Sequence, residues 1–253
     1  MDEQTMFALL VDLHRDGPRQ GPGSDAETLR ALELTRIDRD AALDVADIGC
    51  GTGASTLVLA RGLPNARITA VDLFPEFLEI LADRARDAGC LERIETLAGS
   101  MESLSFRVEE FDLIWSEGAI YNMGFREGVA AWRRFLRPGG MLAVSEITWL
   151  CPDPPDEVRR HWESEYPEIG TASEKIAILE REGYDLFGYT VLPPAAWTDA
   201  YYRPTGERIP AFLERHQGEP DAAEVARLER EEADLYRRYQ DWFSYGFYIA
   251  RRR

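Results

Sequence analysis

The sequence contains few cysteines and histidines, and those it has are scattered. Its three cysteines, Cys50, Cys90 and Cys151, lie far apart among 253 residues and form no Cys-x-x-Cys pair. This spacing predicts no metal site and fits a reducing compartment. The sequence also lacks the apolar run of roughly 18 residues that a membrane-spanning helix requires, and it lacks a basic signal-peptide start. We therefore expect a cytoplasmic protein with no membrane partner.

Positive charge is scarce as well. The chain has 29 lysines and arginines against 46 aspartates and glutamates, which gives a formal net charge of -17. A nucleic-acid partner needs a basic surface for its phosphates. The basic run at 251–253 is too short to form an interaction tail. We expect no nucleic-acid partner, and we take the net charge to favour solubility.

Regular structure is predicted throughout the chain. Residues 1–42 favour two helices separated by a loop rich in glycine and proline. From residue 43 onward, strand and helix patterns alternate, which is typical of a parallel sheet covered by helices. The predicted strands are 43–48, 68–72, 94–97, 111–116, 141–146, 184–192 and 243–250. The predicted helices are 54–61, 75–88, 127–136, 155–165, 173–182, 205–216 and 222–240, with a turn at 137–140.

Three glycines at alternate positions follow the first predicted strand, in the string Asp47-x-Gly49-x-Gly51-x-Gly53. Glycine permits a sharp turn and lets backbone N–H groups approach a ligand. Asp72 ends the second strand, 19 residues after Gly53, where a carboxylate can bind both hydroxyls of a ribose. The pattern predicts a nucleotide-like ligand, and a dinucleotide satisfies part of it.

The fuller string resembles the first motif of the class I S-adenosylmethionine-dependent methyltransferases. This resemblance implies that Asp47 helps to hold the amino-acid end of the cofactor, directly or through water. That end carries an ammonium, which a carboxylate attracts, whereas the same carboxylate repels a pyrophosphate. Asp72 matches the ribose-binding acid. Ser100 and Met101 fall where the family closes over the adenine, although many members have Asp at the position of Ser100.

Further motifs extend the resemblance over about residues 40–150. The segment 111–116 matches the fourth strand of the family, and 136–140 matches the turn before the fifth. Two other segments, 19–24 and 115–122, are similar to a bacterial small-molecule branch labelled methyltransferase type 11. That similarity implies an N-terminal loop packed over the cofactor cleft.

The resemblance implies a fold, a domain division and a cofactor. We expect a Rossmann-like, doubly wound α/β fold with a seven-stranded, mostly parallel sheet and an antiparallel last strand. Residues 1–42 would form N-terminal helices and a lid loop, and 43–253 the methyltransferase domain, with a helical cap at about 194–240. The cofactor would be S-adenosyl-L-methionine, which becomes S-adenosyl-L-homocysteine. The implied binding residues are Gln20, Asp47, Gly49, Cys50, Gly51, Thr52, Gly53, Asp72, Leu73, Ser100, Met101, Ser116 and Glu117.

Three residues are candidates for catalysis. Glu117 follows the fourth strand and could accept a proton, hold a cationic substrate, contact the cofactor or cap the next turn. Tyr121 could line the same pocket or pack in the core. His161, in a predicted helix, could act as a base or lie on the surface. Glu146 could face the cleft or pair with a surface arginine.

Aromatic residues are dense in the last quarter of the chain. Those at 197–202 could form the wall of a substrate pocket or the core of the cap. Those at 236–248 are predicted to be mostly core, because they alternate through the final strand.

The predicted function is methyl transfer from S-adenosylmethionine to a small-molecule acceptor by in-line displacement. Two alternatives remain open: a non-catalytic S-adenosylmethionine-binding protein and an NAD(P)-dependent oxidoreductase. N-, O-, C- and S-methylation are all compatible with the sequence, as are a monomer and a homodimer.

Overall fold

The computed structural model describes residues 2–253 and begins with two helices. They are α1 (Glu3–His14) and α2 (Asp25–Thr35). The hydroxyl of Ser24 accepts a hydrogen bond from the Glu27 amide at 3.2 Å, which satisfies a backbone group left without a partner in the first turn of α2. The glycine- and proline-rich segment between the helices forms the predicted loop.

A mostly parallel sheet forms the centre of the molecule. Its strands are β1 (Asp44–Ile48), β2 (Arg67–Asp72), β3 (Ile94–Ala98), β4 (Phe111–Ser116), β5 (Leu136–Trp149), β6 (Gly170–Thr171), β7 (Tyr184–Val191) and β8 (Phe243–Arg252). The main order is β3-β2-β1-β4-β5-β8-β7, and β8 is antiparallel to both β5 and β7. The predicted Rossmann-like fold is therefore confirmed. Strand β6, which pairs with β5, was not predicted because two residues show no periodicity.

Helices cover both faces of the sheet. They are α3 (Ala54–Gly62), α4 (Pro75–Asp87), α5 (Phe125–Arg133), α6 (Asp156–Glu165) and α7 (Ala172–Arg181). One face packs against α2, α3 and α4 through residues such as Leu32, Leu59 and Leu81. The other face packs against α5 and α7 through Trp132 and Leu179. With both faces covered, the carboxyl edge of the parallel strands is where a ligand can reach the sheet.

The chain between β7 and β8 is helical. It consists of α8 (Pro194–Trp197), a π-helical turn (Thr198–Tyr202), α9 (Arg203–Arg215) and α10 (Pro220–Tyr239). Leu9 and Leu13 of α1 share a hydrophobic core with Phe212 and Val225 of this segment. The lid helix and the cap therefore form one helical layer. None of the helices within residues 2–253 is both long and apolar enough to cross a membrane.

Two local predictions around residue 136 are wrong. The helix predicted at 127–136 is α5, which begins at Phe125 and ends at Arg133. The predicted turn at 137–140 lies inside β5 as a bulge, because Leu136 already pairs with Phe111 and Met141 pairs with Leu113. The glycine and proline residues were correctly associated with a bend, but strand pairing resumes on both sides of it.

Candidate active site

The loop between β1 and α3 allows no side chain at its glycine positions. Gly51 and Gly53 have φ angles of 54° and 88°, a region that residues with a Cβ atom rarely adopt. A Cβ at Gly53 would lie 2.1 Å from Cδ1 of Leu81, and one at Gly51 would lie 2.4 Å from Oε1 of Gln20. The alternate glycines are therefore explained by backbone conformation and by close packing on both sides of the loop.

Asp47 lies completely buried beneath this loop. Its Oδ2 accepts hydrogen bonds from the hydroxyls of Ser55 at 2.8 Å and Thr56 at 2.7 Å. Its Oδ1 has no hydrogen-bond partner among residues 2–253. Burial raises the pKa of Asp47 to about 7. An unpaired buried carboxylate oxygen fits a cationic ligand group such as the ammonium of S-adenosylmethionine.

Asp72 at the end of β2 faces the same loop. Its Oδ2 accepts a hydrogen bond from the Gly51 amide at 2.8 Å, and its Oδ1 accepts one from the Phe74 amide at 3.0 Å. Burial raises the pKa of this carboxyl group. Since each carboxylate oxygen can accept a further bond, the group is held in place and can still bind two ribose hydroxyls.

The N-terminal loop is fastened across the glycine loop. Oε1 of Gln20 accepts hydrogen bonds from the Thr52 amide at 2.8 Å and the Thr52 hydroxyl at 3.0 Å. Arg84 of α4 donates to the Thr52 hydroxyl at 2.6 Å and to the Gly17 carbonyl at 2.9 Å. The N-terminal loop therefore packs directly against the glycine loop.

Glu117 is held by three donors. Its Oε1 accepts hydrogen bonds from the Thr28 hydroxyl at 2.7 Å and from Nε1 of Trp115 at 2.9 Å. Its Oε2 pairs with Nη1 of Arg19 at 2.9 Å. These contacts link the end of β4 to the N-terminal segment and engage both carboxylate oxygens, so the geometry favours an anchor over a group that faces the acceptor.

A cavity of about 1480 Å³ extends from the glycine loop to the cap. Most of the predicted site residues line it: Gln20, Gly49, Cys50, Gly51, Asp72, Leu73, Ser100, Met101, Glu117, Tyr121 and His161. Asp47, Thr52 and Gly53 lie just behind its wall. Ser116 is likewise completely buried and does not line the cavity, so its contact with the cofactor stays a prediction.

The cap end of the cavity is lined by aromatic and acidic residues. Tyr121 and the aromatic residues at 197–202 were candidates from the sequence, whereas the others were not. The aromatic ones are Tyr121, Trp162, Tyr166, Trp197, Tyr201 and Tyr245. Trp197 both lines the cavity and belongs to the cap core, since it stacks on Tyr236 at 4.6 Å and on Tyr245 at 5.0 Å. The carboxylates Glu229 and Glu232 of α10 line the same end. His161 is partly buried there, and burial lowers its pKa.

Glu146 does not line the cavity, and its partner is not a surface arginine. Its Oε1 pairs with Nζ of Lys175 at 2.6 Å, and both side chains are almost completely buried. Lys175 is the only lysine of the chain. Burial raises the pKa of Glu146 to about 7. The pair belongs to the packed interior beneath Tyr166, whose ring centroid lies 5.2 Å from Nζ.

Comparisons with known proteins identify the domain. Residues 45–140 match the family model described as Methyltransferase domain. The chain is 30% identical over 185 residues to methyltransferase GfsG of Streptomyces halstedii, covering 70% of this chain and 63% of that protein. It is 32% identical over 105 residues to erythromycin 3''-O-methyltransferase of Saccharopolyspora erythraea, covering 41% of this chain and 34% of that protein. The chain thus spans about a third to two thirds of the length of these curated relatives.

The whole fold has solved counterparts. A SAM-dependent methyltransferase from Geobacter sulfurreducens, in complex with S-adenosyl-L-homocysteine, matches with a TM-score of 0.81 at 21% identity, over 98% of both chains. Residues 45–140 therefore form a methyltransferase domain, and the whole chain shares the fold of the Geobacter sulfurreducens enzyme. The predicted assignment to the methyltransferases is confirmed.

Proposed function

We propose that the protein transfers a methyl group from S-adenosylmethionine to a small-molecule acceptor, by in-line displacement within the cavity. The observation that carries this proposal is the continuity of one cavity between the glycine loop and the aromatic wall of the cap. Its volume of about 1480 Å³ exceeds the roughly 300–1,000 Å³ of a pocket for one drug-sized ligand. Cofactor and acceptor can therefore occupy it together.

The chain offers a group for each part of the cofactor. Asp72 would bind the ribose hydroxyls, Asp47 the ammonium, and Ser100 and Met101 the adenine end. When bound, S-adenosylmethionine supplies an electrophilic methyl group on a sulfonium. The lid loop, held by Gln20, would keep water from that end of the cavity.

The chain's main contribution to the reaction would be positioning. An in-line displacement needs the acceptor atom about 3 Å from the methyl carbon, and confinement in a closed cavity supplies much of the required orientation. The hydroxyl of Tyr121, which lines the cavity, would donate a hydrogen bond to the acceptor. The lowered pKa of His161 leaves a neutral imidazole that could accept a proton from an acceptor. We assign Glu117 to anchoring the lid.

The name of one relative supports a small-molecule acceptor. Erythromycin 3''-O-methyltransferase is named for a small molecule. The cap end of the cavity in this chain is lined by α1, α6, the π-helical turn and α10, a depth that a small molecule can enter.

A screen with methyl-labelled S-adenosylmethionine and a metabolite pool tests the proposal. We expect label to appear in a small molecule, and the Asp72→Ala variant to form at least about a hundredfold less product, because it loses two charge-assisted hydrogen bonds. Tight cofactor binding without any labelled product, across pools of varied chemistry, would favour the non-catalytic binding protein.

A further inference from the structure

Two carboxylates at the cap end of the cavity have no lysine or arginine partner among residues 2–253. Glu229 and Glu232 lie one turn apart on α10, and both line the cavity. The Oε1 atom of Glu229 lies 3.0 Å from Nε2 of His14, and Oε1 of Glu232 accepts a bond from the Tyr202 hydroxyl at 2.9 Å. Burial, and then the charge of Glu229, raise the pKa of Glu232 to about 7. A positive group between them would relieve this repulsion.

The arginines near this end are already engaged. Arg238, at the cavity wall, pairs with Glu157 at 2.7 Å. Arg208, behind the wall, donates to the Leu13 carbonyl and the Thr205 hydroxyl. Arg19, at the lid, pairs with Glu117. The charge of Arg208 acts on Glu229 and Tyr201, but carboxylates still outnumber basic side chains in the lining of this end. The acidic ones are Glu157, Glu165, Glu229, Glu231, Glu232 and Asp234, and the basic ones are His14, His161 and Arg238.

Aromatic rings line the same end of the cavity. Tyr245 is 7% exposed and lines the cavity, and its hydroxyl has no hydrogen-bond partner among residues 2–253. That hydroxyl lies next to Gly118, 3.7 Å from where a Cβ would be, and Gly118 lines the same cavity. Burial, followed by the charges of Glu229 and Glu232, raises the pKa of Tyr201, which places this ring within the field of both carboxylates. Aromatic faces attract cations, most strongly when the site is shielded from water.

We propose that the cap end of the cavity is an ammonium subsite, formed by Glu229, Glu232, Tyr201 and Tyr245. The methyl acceptor is then a small molecule that carries a positively charged amine or a quaternary ammonium. This inference rests on the proposed function, because it names the acceptor class of the same cavity. The carboxylates neutralise the charge and the rings cover its apolar surface, a combination that a neutral or anionic acceptor would leave unpaired.

Binding of matched probes to the protein saturated with S-adenosyl-L-homocysteine tests the subsite. Choline and 3,3-dimethylbutan-1-ol have nearly the same shape and differ in charge. Phenethylamine and 2-phenylethanol form a second pair, with a primary amine. Calorimetry should give at least about tenfold tighter binding for the charged member of one or both pairs. A difference within the choline pair indicates a subsite for a quaternary ammonium. A difference within the phenethylamine pair indicates a subsite for a protonated amine.

Substitutions on α10 locate the binding. Glu232→Gln should weaken the charged probe at least about fivefold and leave the neutral probe and S-adenosyl-L-homocysteine unchanged. Glu224→Gln is the matched control, since Glu224 lies on the same helix, pairs with Arg227 and does not line the cavity. It makes the same charge change and should leave all affinities unchanged. Glu229→Gln provides a second variant if Glu232→Gln lowers the affinity for S-adenosyl-L-homocysteine.

Two results would overturn the ammonium subsite. One is equal binding of charged and neutral probes, or no binding of either charged probe. The other is an equal loss in the Glu224→Gln control, which would indicate only a general field effect. A labelled neutral or anionic product in the metabolite screen, together with such a result, would leave the small-molecule methyltransferase standing and remove the ammonium subsite alone.

Discussion

The two ends of the cavity are built in different ways. The cofactor end consists of backbone and short side chains from consecutive elements, with Asp47 and Asp72 at the ends of neighbouring parallel strands. The cap end consists of long side chains from α1, α6, the π-helical turn, α10 and β8. We therefore expect binding at the first end to depend on backbone conformation as well as on its two carboxylates, and binding at the second end to depend on charge and aromatic surface. Substitutions should separate these two kinds of dependence.

The largest effect is expected at Gly53. Gly53→Ala combines a φ of 88° with a Cβ 2.1 Å from Leu81. We expect loss of S-adenosyl-L-homocysteine binding and a fall of about 3 kcal/mol in the free energy of unfolding, from backbone strain and overpacking together. Calorimetry and urea unfolding measure the two quantities.

Gly89 provides the matched control for this substitution. Its φ is 69°, and a Cβ there would have no neighbour within 4 Å. Gly89→Ala should lower the free energy of unfolding by only about 1 kcal/mol and leave cofactor binding intact. Equal effects of the two substitutions would show that close packing at the glycine loop is unimportant.

Asp72 should give the next largest effect. Asp72→Asn keeps an acceptor for the Gly51 amide but loses the charge, and Asp72→Ala loses both. We expect the affinity for S-adenosyl-L-homocysteine to fall about tenfold for Asn and about a hundredfold for Ala. If both variants bind as the unmodified protein does, the ribose assignment is wrong.

The contrast between the two ends also explains what the sequence could predict. The cofactor end is encoded by a short string and one acid, because strand, loop and helix follow directly along the chain. His14 and Glu229 are 215 positions apart, and no local pattern indicates that they meet. Tyr245 alternates like a core residue, and it is one, yet it also lines the cavity. The sequence indicated Glu146 as a polar residue at the end of a predicted strand. Its pairing with the buried Lys175 could not be predicted, because it depends on how α7 packs.

The affinity of the cofactor end for S-adenosyl-L-homocysteine should depend on pH through Asp47. Because the pKa of Asp47 is about 7 in the free protein, this group holds a proton at lower pH. The ligand's ammonium favours the ionised form, so binding below pH 7 requires loss of that proton. Affinity for S-adenosyl-L-homocysteine should then fall, by up to about tenfold per pH unit, and should be flat above pH 8. Calorimetry between pH 6 and pH 8.5 measures this.

A control variant must separate the titration of Asp47 from that of neighbouring groups. Ser55 and Thr56 bind its Oδ2, and the charges of Glu117 and Asp72 contribute to its raised pKa. Asp47→Asn should bind more weakly at pH 8.5 and show little slope between pH 6 and pH 8.5. An unchanged slope in this variant would assign the titration to Asp72 or to another group.

The smallest effect is expected at Glu117, which joins the two ends through the lid. Glu117→Gln keeps acceptors for Thr28 and Trp115 but loses the ion pair with Arg19. We expect a fall of about 1–2 kcal/mol in the free energy of unfolding and less than about tenfold loss of methyl transfer. A general base would lose about 10²–10⁴-fold. Transfer is measured with whichever acceptor the labelled screen identifies.

Arg19→Gln separates anchoring from proton transfer, because Arg19 reaches Glu117, Asp25 and Thr28. If Glu117 is an anchor, the single substitutions should lower transfer to a similar extent, and the double variant should add little, since both remove the same contact. If Glu117→Gln abolishes transfer while Arg19→Gln retains it, the carboxylate acts on the reacting atoms. In that case the lid contacts would orient a base, and the cofactor end would contribute chemistry as well as position.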